Sequence, residues 1–157
     1  MAVQRQLAAP ADIAATLNQS AKAMPPMLLD QIPAQFWNVR YNGDRPPRLG
    51  AGLADGANCQ HFAYELLRHF GRTVPDLWSS DLWDSPASAR VRAPFEPLDL
   101  LLFNPTHDAY GAHLAVYVGE GQALHLSRKV GHPVVWPIED FLKLPEYAVL
   151  IGGKRYA

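Results

Sequence analysis

The clearest hydrophobic pattern in the chain runs over residues 59–70. Cys59, Phe62, Ala63, Leu66, Leu67 and Phe70 fall at i, i+3, i+4, i+7, i+8 and i+11, one continuous apolar stripe at helical spacing. Asn58 is placed to cap its start and Gly71 to end it. His61, Glu65, Arg68 and His69 fall on the other side, predicting a solvent-facing polar flank. Upstream, Ile13, Leu17 and Ala21 predict a short amphipathic helix over 11–23, closed by Met24-Pro25-Pro26-Met27. Residues 27–37 fit either a helical turn or an extended segment, and 42–56 (rich in Gly, Pro, Asp and Arg) read as a long loop.

Past the central helix the period changes. Residues 75–97 are irregular and carry Trp78 and Trp83; short apolar runs then follow at 98–103, 113–118, 122–127, 133–136 and 147–151. Residues 138–144 (IEDFLKL) interrupt them as a short helix. A helix followed by a meander of short strands predicts an α+β fold with the helix packed on a small antiparallel sheet.

The 157 residues fit one domain with a real core. A net charge of −1 leaves no electrostatic footprint for nucleic acid; the basic clusters at 45–48 and Lys154-Arg155 read as solvated surface. No apolar run approaches the roughly 18 residues that a membrane span needs, and 1–10 lack the apolar core of a signal peptide. The expectation is a cytoplasmic, soluble protein without membrane insertion, with signal-independent export as an effector also open. The composition is silent on oligomeric state.

The single cysteine rules out an internal disulfide and a cysteine-based zinc site. Its position is what matters. A thiol in the first turn of a helix meets the positive end of the helix dipole and free backbone N–H groups, which favour the thiolate. The same N–H groups can hold an oxyanion. A lone cysteine on an apolar face is commonly just a small buried hydrophobe, so partners are needed. Gly119-Glu120-Gly121 fits a three-residue hairpin loop, which pairs positions summing to 240 and sets His113 and His125 on one sheet face. Ala115 and Ala123 beside them leave room for the Cys59 helix to pack above. An imidazole there could take the thiol proton, and a second polar group could fix its tautomer. His107 and His132 read as loop and turn residues. A His107–His113–His125 metal site lacks any recognisable ligand spacing, so neither metal nor cofactor is expected.

The same segments carry a resemblance. GANCQHFAYELLRHFG resembles the cysteine segment of the NlpC/P60 family of papain-like cell-wall peptidases, usually D-C-S-G before an apolar helix. PLDLLLF is similar to that family's G-D-L-V-F-F strand. GAHLAVYVGEGQALHLS closely resembles its H-V-G-I-Y-x-G-x-G-x-x-I-H-A-S hairpin, including the interval between the histidines. The resemblance covers roughly residues 36–157, leaving 1–35 as a helical extension of the same domain. It implies Cys59 as nucleophile, His113 as general base and acid, His125 as the orienting third member, and Tyr41 as an oxyanion contributor. It also implies a peptide or cell-wall peptide substrate. Asn58 stands where the family has Asp, and Gln60-His61 where it has Ser-Gly. Those family residues grip the amino end of a stem peptide, so the usual γ-D-glutamyl preference does not carry over directly. N-C-Q-H is also similar to the N-C-E-H-F segment of the circularly permuted lecithin:retinol acyltransferase-like proteins, although here the cysteine precedes the histidine strand. Three functions therefore stand: an amide hydrolase, an acyltransferase or thioesterase using the same triad, and a non-catalytic binding module.

Overall fold

The computed structural model describes residues 27–44 and 52–157; the helix expected over 11–23 and the cluster at 45–48 lie outside them. The chain divides after Gln31. Before the division, Leu28–Gln31 forms a 3-10 turn. After it come α1 (Ala34–Trp37), α2 (Cys59–His69), α3 (Ser79–Asp84), β1 (Ala89–Val91), β2 (Leu100–Asn104), β3 (His113–Gly119), β4 (Gln122–Leu126), β5 (Pro133–Pro137), α4 (Ile138–Leu142), a 3-10 turn (Pro145–Tyr147) and β6 (Val149–Arg155). The six strands form one sheet in the order β1-β6-β2-β3-β4-β5, and every neighbouring pair is antiparallel. The fold is α+β.

Local chemistry sets α2. Asn58 Oδ1 accepts the His61 N–H at 2.8 Å, satisfying one of the donors that a helix start leaves open. At the other end the Gly71 N–H reaches Arg68 O at 3.0 Å and the Arg72 N–H reaches Leu67 O at 3.1 Å. This pair of bonds needs a left-handed residue, and Gly71 supplies it with φ +87°. Between the caps, Phe62, Ala63, Leu66 and Leu67 are buried. At roughly 1.5–3 kcal/mol for each large apolar side chain removed from water, this stripe contributes several kcal/mol.

The strands sort by parity. Leu100 opposes Val116 and Leu102 opposes Leu114, while Val116 opposes Leu124. These residues are all buried, and α2 packs against β3 and β4. The opposite face carries Leu101, Phe103, Ala115 and Ala123, covered by Phe141 of α4. Phe103 and Phe141 stack with centroids 4.4 Å apart and planes at 10°.

Several boundaries differ from the sequence reading. The stretch taken as irregular holds α3 and β1. The strand expected from 98 starts at Leu100, because Leu98 sits in a turn with φ +79°. The last strand begins at Val149, because Pro145 starts a 3-10 turn through Tyr147. The flank of α2 assigned to solvent is mostly covered. His61 is fully buried with Nε2 2.6 Å from Gly52 O. Arg68 bonds Glu65 at 2.7 Å and Asp76 at 2.8 Å. Only His69 of that set is exposed. The segments flanking α2 in sequence fold back over it, a tertiary effect that helical periodicity alone cannot report.

Candidate active site

The hairpin places the two histidines. Its turn is two residues, Glu120 and Gly121, both at positive φ (55° and 74°), rather than the three expected. A bulge between Tyr117 and Gly119 absorbs the difference, so Tyr117 still pairs with Ala123 and Val116 with Leu124. Both pairs sum to 240, and His113 and His125 therefore share a face. Their rings meet almost at right angles, with centroids 5.0 Å apart, and His113 Nε2 lies 2.8 Å from His125 Nδ1.

What packs above them is not α2 but an aromatic group. Tyr147 stacks on His113 at 4.5 Å with planes 21° apart. Trp136 and Phe141 lie against His125 at 4.4 and 4.5 Å. Ala115 and Ala123 do leave room, and Phe141 of α4 fills it. Nothing in the periodicity of IEDFLKL indicates that its phenylalanine reaches a histidine pair; only the return of the chain after β5 brings it there.

Cys59, at the first position of α2, borders a cleft of about 760 Å³ together with Tyr41, Asn58, Gln60, His113 and Tyr147. The Tyr41 backbone is pinned beside the cysteine loop by a parallel bridge to Ala57 and by its N–H bond to Gly131 O at 2.9 Å. Asn58 spends its side-chain oxygen on the helix cap. Gln60 is buried, and its Oε1 has no hydrogen-bond partner among the described residues. The cleft's outer wall includes Trp78, 55% exposed. Trp83 lies elsewhere, under the Arg90 guanidinium at 4.3 Å. His107 is exposed and does not line the cleft. Among the described residues no group of three or more His, Cys, Asp or Glu is placed to share a metal ion.

The electrostatics correct one expectation. Burial pushes the Cys59 thiol above its usual value, outweighing the backbone N–H groups of Leu114, Cys59 and Gln60 that pull the other way. Burial likewise holds both imidazoles neutral: His113 falls to about 3, and His125, with His113 as a lesser cause, to about 2. Burial thus favours the neutral thiol and the neutral imidazoles at this cleft. Desolvation outweighs the N–H groups at the helix start and that of Leu114 in β3.

A neutral pair still has a direction. His125 engages Nε2 of His113, leaving Nδ1 of His113 as that ring's remaining nitrogen. With the proton on Nε2, that Nδ1 is a lone pair able to accept a proton.

No family model matches the chain, and no curated protein matches it either. Solved structures do. One is the peptidoglycan hydrolase RipB from Mycobacterium tuberculosis, 20% identical, with a TM-score of 0.52 over 96% of this chain and 86% of that one. The likeness bears on architecture: the chain has the α+β, papain-like fold of the NlpC/P60 type.

Proposed function

We propose that the protein is a cysteine hydrolase that cuts an amide bond in a peptidoglycan stem peptide through an acyl-enzyme. The observation that carries this reading is the 2.8 Å His113–His125 hydrogen bond at the wall of the cleft that Cys59 lines. Likeness to a peptidoglycan hydrolase supports the substrate class.

In this reading His113 Nδ1 takes the thiol proton as sulfur attacks the scissile carbonyl. Because the resting thiol is protonated, attack and proton transfer are coupled rather than sequential. The developing oxyanion is met by the N–H groups at the start of α2 and by the Tyr41 hydroxyl. His113 then returns the proton to the leaving amine as the C–N bond breaks, and water, deprotonated by the same nitrogen, hydrolyses the thioester. His125 keeps the His113 ring in place. Gln60 lines the same cleft beside Cys59.

The test is incubation with muropeptides and mass spectrometry of the products, with Cys59→Ala as control. Cleavage by the native chain alone is expected. If no stem or cross-link peptide is cut, the cell-wall reading fails. The acyltransfer alternative draws on the N-C-Q-H segment and on the exposed Trp78 wall, where an acyl chain could lie. It predicts a Cys59 acyl adduct from thioester or lipid donors.

A further inference from the structure

The hydrogen bond between His113 and His125 can form in two ways, and only one gives a base. If His113 Nε2–H donates, His113 Nδ1 is a lone pair that can accept the Cys59 proton, and His125 carries its own hydrogen on Nε2. If His125 Nδ1–H donates instead, His113 holds its hydrogen on Nδ1 and cannot accept one there. The 2.8 Å separation is the same in both cases. In papain-like logic a carboxamide or carboxylate settles the question, since its oxygen only accepts. An imidazole does not, so something else must.

The environment of His125 Nε2 supplies the answer. That nitrogen is buried with no hydrogen-bond partner among the described residues. The imidazole is instead flanked by Trp136, with centroids 4.4 Å apart and planes at 64°, and by Phe141, at 4.5 Å and 56°. With Nδ1 taken by His113, Nε2 is the ring nitrogen left buried among these aromatic neighbours. An aromatic face is electron-rich: it attracts an N–H and repels a lone pair. Neither histidine has an ion-pair partner among the described residues that could impose the opposite arrangement. Trp136 and Phe141 pack against each other at 5.1 Å, so the two walls are held as a unit.

We infer that Trp136 and Phe141 are positioning residues that select the tautomer of His125, and through it make His113 a base at Nδ1. The aromatic pair biases the site in the direction an obligate acceptor would, favouring the Nε2–H form of His125. The catalytic consequence rests on the assignment of Cys59 and His113 given above; the tautomer itself does not.

The test is two-bond ¹H–¹⁵N correlation NMR of the labelled full chain, without substrate, at neutral pH. Both His113 and His125 are expected as Nε2–H tautomers. An Nδ1–H form of His125 in the native chain overturns the inference, whether or not any substrate is ever cut. Phe141→Leu and Trp136→Leu, which keep apolar bulk but remove the π face, are expected to raise the Nδ1–H fraction of His125. They should also lower kcat roughly twofold to fivefold each, with KM little changed, given the modest strength of N–H···π contacts. Trp136→Phe should restore both readouts. In a His125→Asn background, where the carboxamide oxygen accepts without help, Trp136→Leu should leave kcat unchanged. An equal loss in both backgrounds would mean the ring is only packing. Should the leucine variants fail to fold, the native spectrum and Trp136→Phe still decide.

Discussion

The buried histidine pair makes a quantitative prediction about acid stability. In the unfolded chain each imidazole titrates near 6.5, whereas in the folded protein burial lowers His113 to about 3 and His125 to about 2. The folded-state values are depressed, so below pH 6.5 the unfolded chain binds protons that the native one refuses. Stability is unaffected by these groups above 6.5 and is lost as pH falls from there toward 3. Each unit of pH costs about 1.4 kcal/mol per histidine. At pH 4.5, two units down, the pair together removes about 5 kcal/mol, a large part of the roughly 5–15 kcal/mol that a domain possesses. Both native values lie below this window. His113 is 9% exposed and His125 1%, so solvent screening does little to weaken it. The perturbation is His125→Asn, which keeps an acceptor for His113 and removes one titrating ring. Urea unfolding at half-unit steps from pH 7 to 4.5 gives the stability of each protein. The Asp and Glu contributions are common to both and cancel in the difference. The variant's stability should fall less steeply, by about 1.4 kcal/mol per pH unit. Parallel curves would refute the burial argument for His125.

The thiol makes a companion prediction. An ordinary cysteine at about 8.5 is about 3% thiolate at pH 7, and burial raises Cys59 above that. Iodoacetamide alkylation should therefore keep rising about tenfold per pH unit through pH 8, and a plateau below pH 7 would contradict a neutral resting site. Asp99, 1% exposed, accepts the Glu96 N–H at 2.8 Å and a two-pronged bond from Arg155 at 2.7 and 2.8 Å. Asp99→Ala should cost about 2–4 kcal/mol, read as a lower urea midpoint with unchanged slope. Gly56 lies at φ +91°, and a Cβ there would stand 2.7 Å from Arg40 O. Gly56→Ala should destabilise by about 1–3 kcal/mol and, by moving the Tyr41 bridge, reduce kcat/KM more than Tm alone explains.

How much of this was legible in the chain depends on the range of the interaction. The α2 stripe, its Asn58 cap and its Gly71 terminus are local, and the structure follows them. The shared face of His113 and His125 was also readable, though for a partly mistaken reason. The turn has two residues, and a bulge restores the register that a three-residue loop would have given. What failed was non-local. His61 falls on the polar flank by spacing, yet it is buried and its ring reaches Gly52 O, nine residues away in a glycine-rich loop. The aromatic cover of the histidines comes from β5, α4 and the turn after it, and no spacing rule links those residues to positions 113 and 125. The thiol's direction of shift was misjudged for a related reason. A helix start is visible in sequence, but the wall that β3 builds beside it is not, and at this site desolvation outweighs the dipole.

The cleft's charge bears on the substrate more directly than its shape. Asn58 caps α2 as well as Asp would, so the helix start is satisfied without a negative charge beside Cys59. The remaining carboxylate on the wall, Glu146, is paired with Lys129 at 3.3 Å. Arg128, exposed on the same wall, has no hydrogen-bond or ion-pair partner among the described residues. An ammonium group at the amino end of a bound peptide would thus meet neutral amides and a guanidinium, with no unpaired carboxylate among the described lining residues. The site should not depend on a free amino end. The measurement is kcat/KM for one stem peptide with its amino terminus free and acetylated. Values within about threefold are expected, and Arg128→Ala should weaken KM for a substrate carrying a free carboxylate near the scissile bond. A preference above about tenfold for the free amine would mean that residues other than Asn58 and Gln60 supply the missing charge.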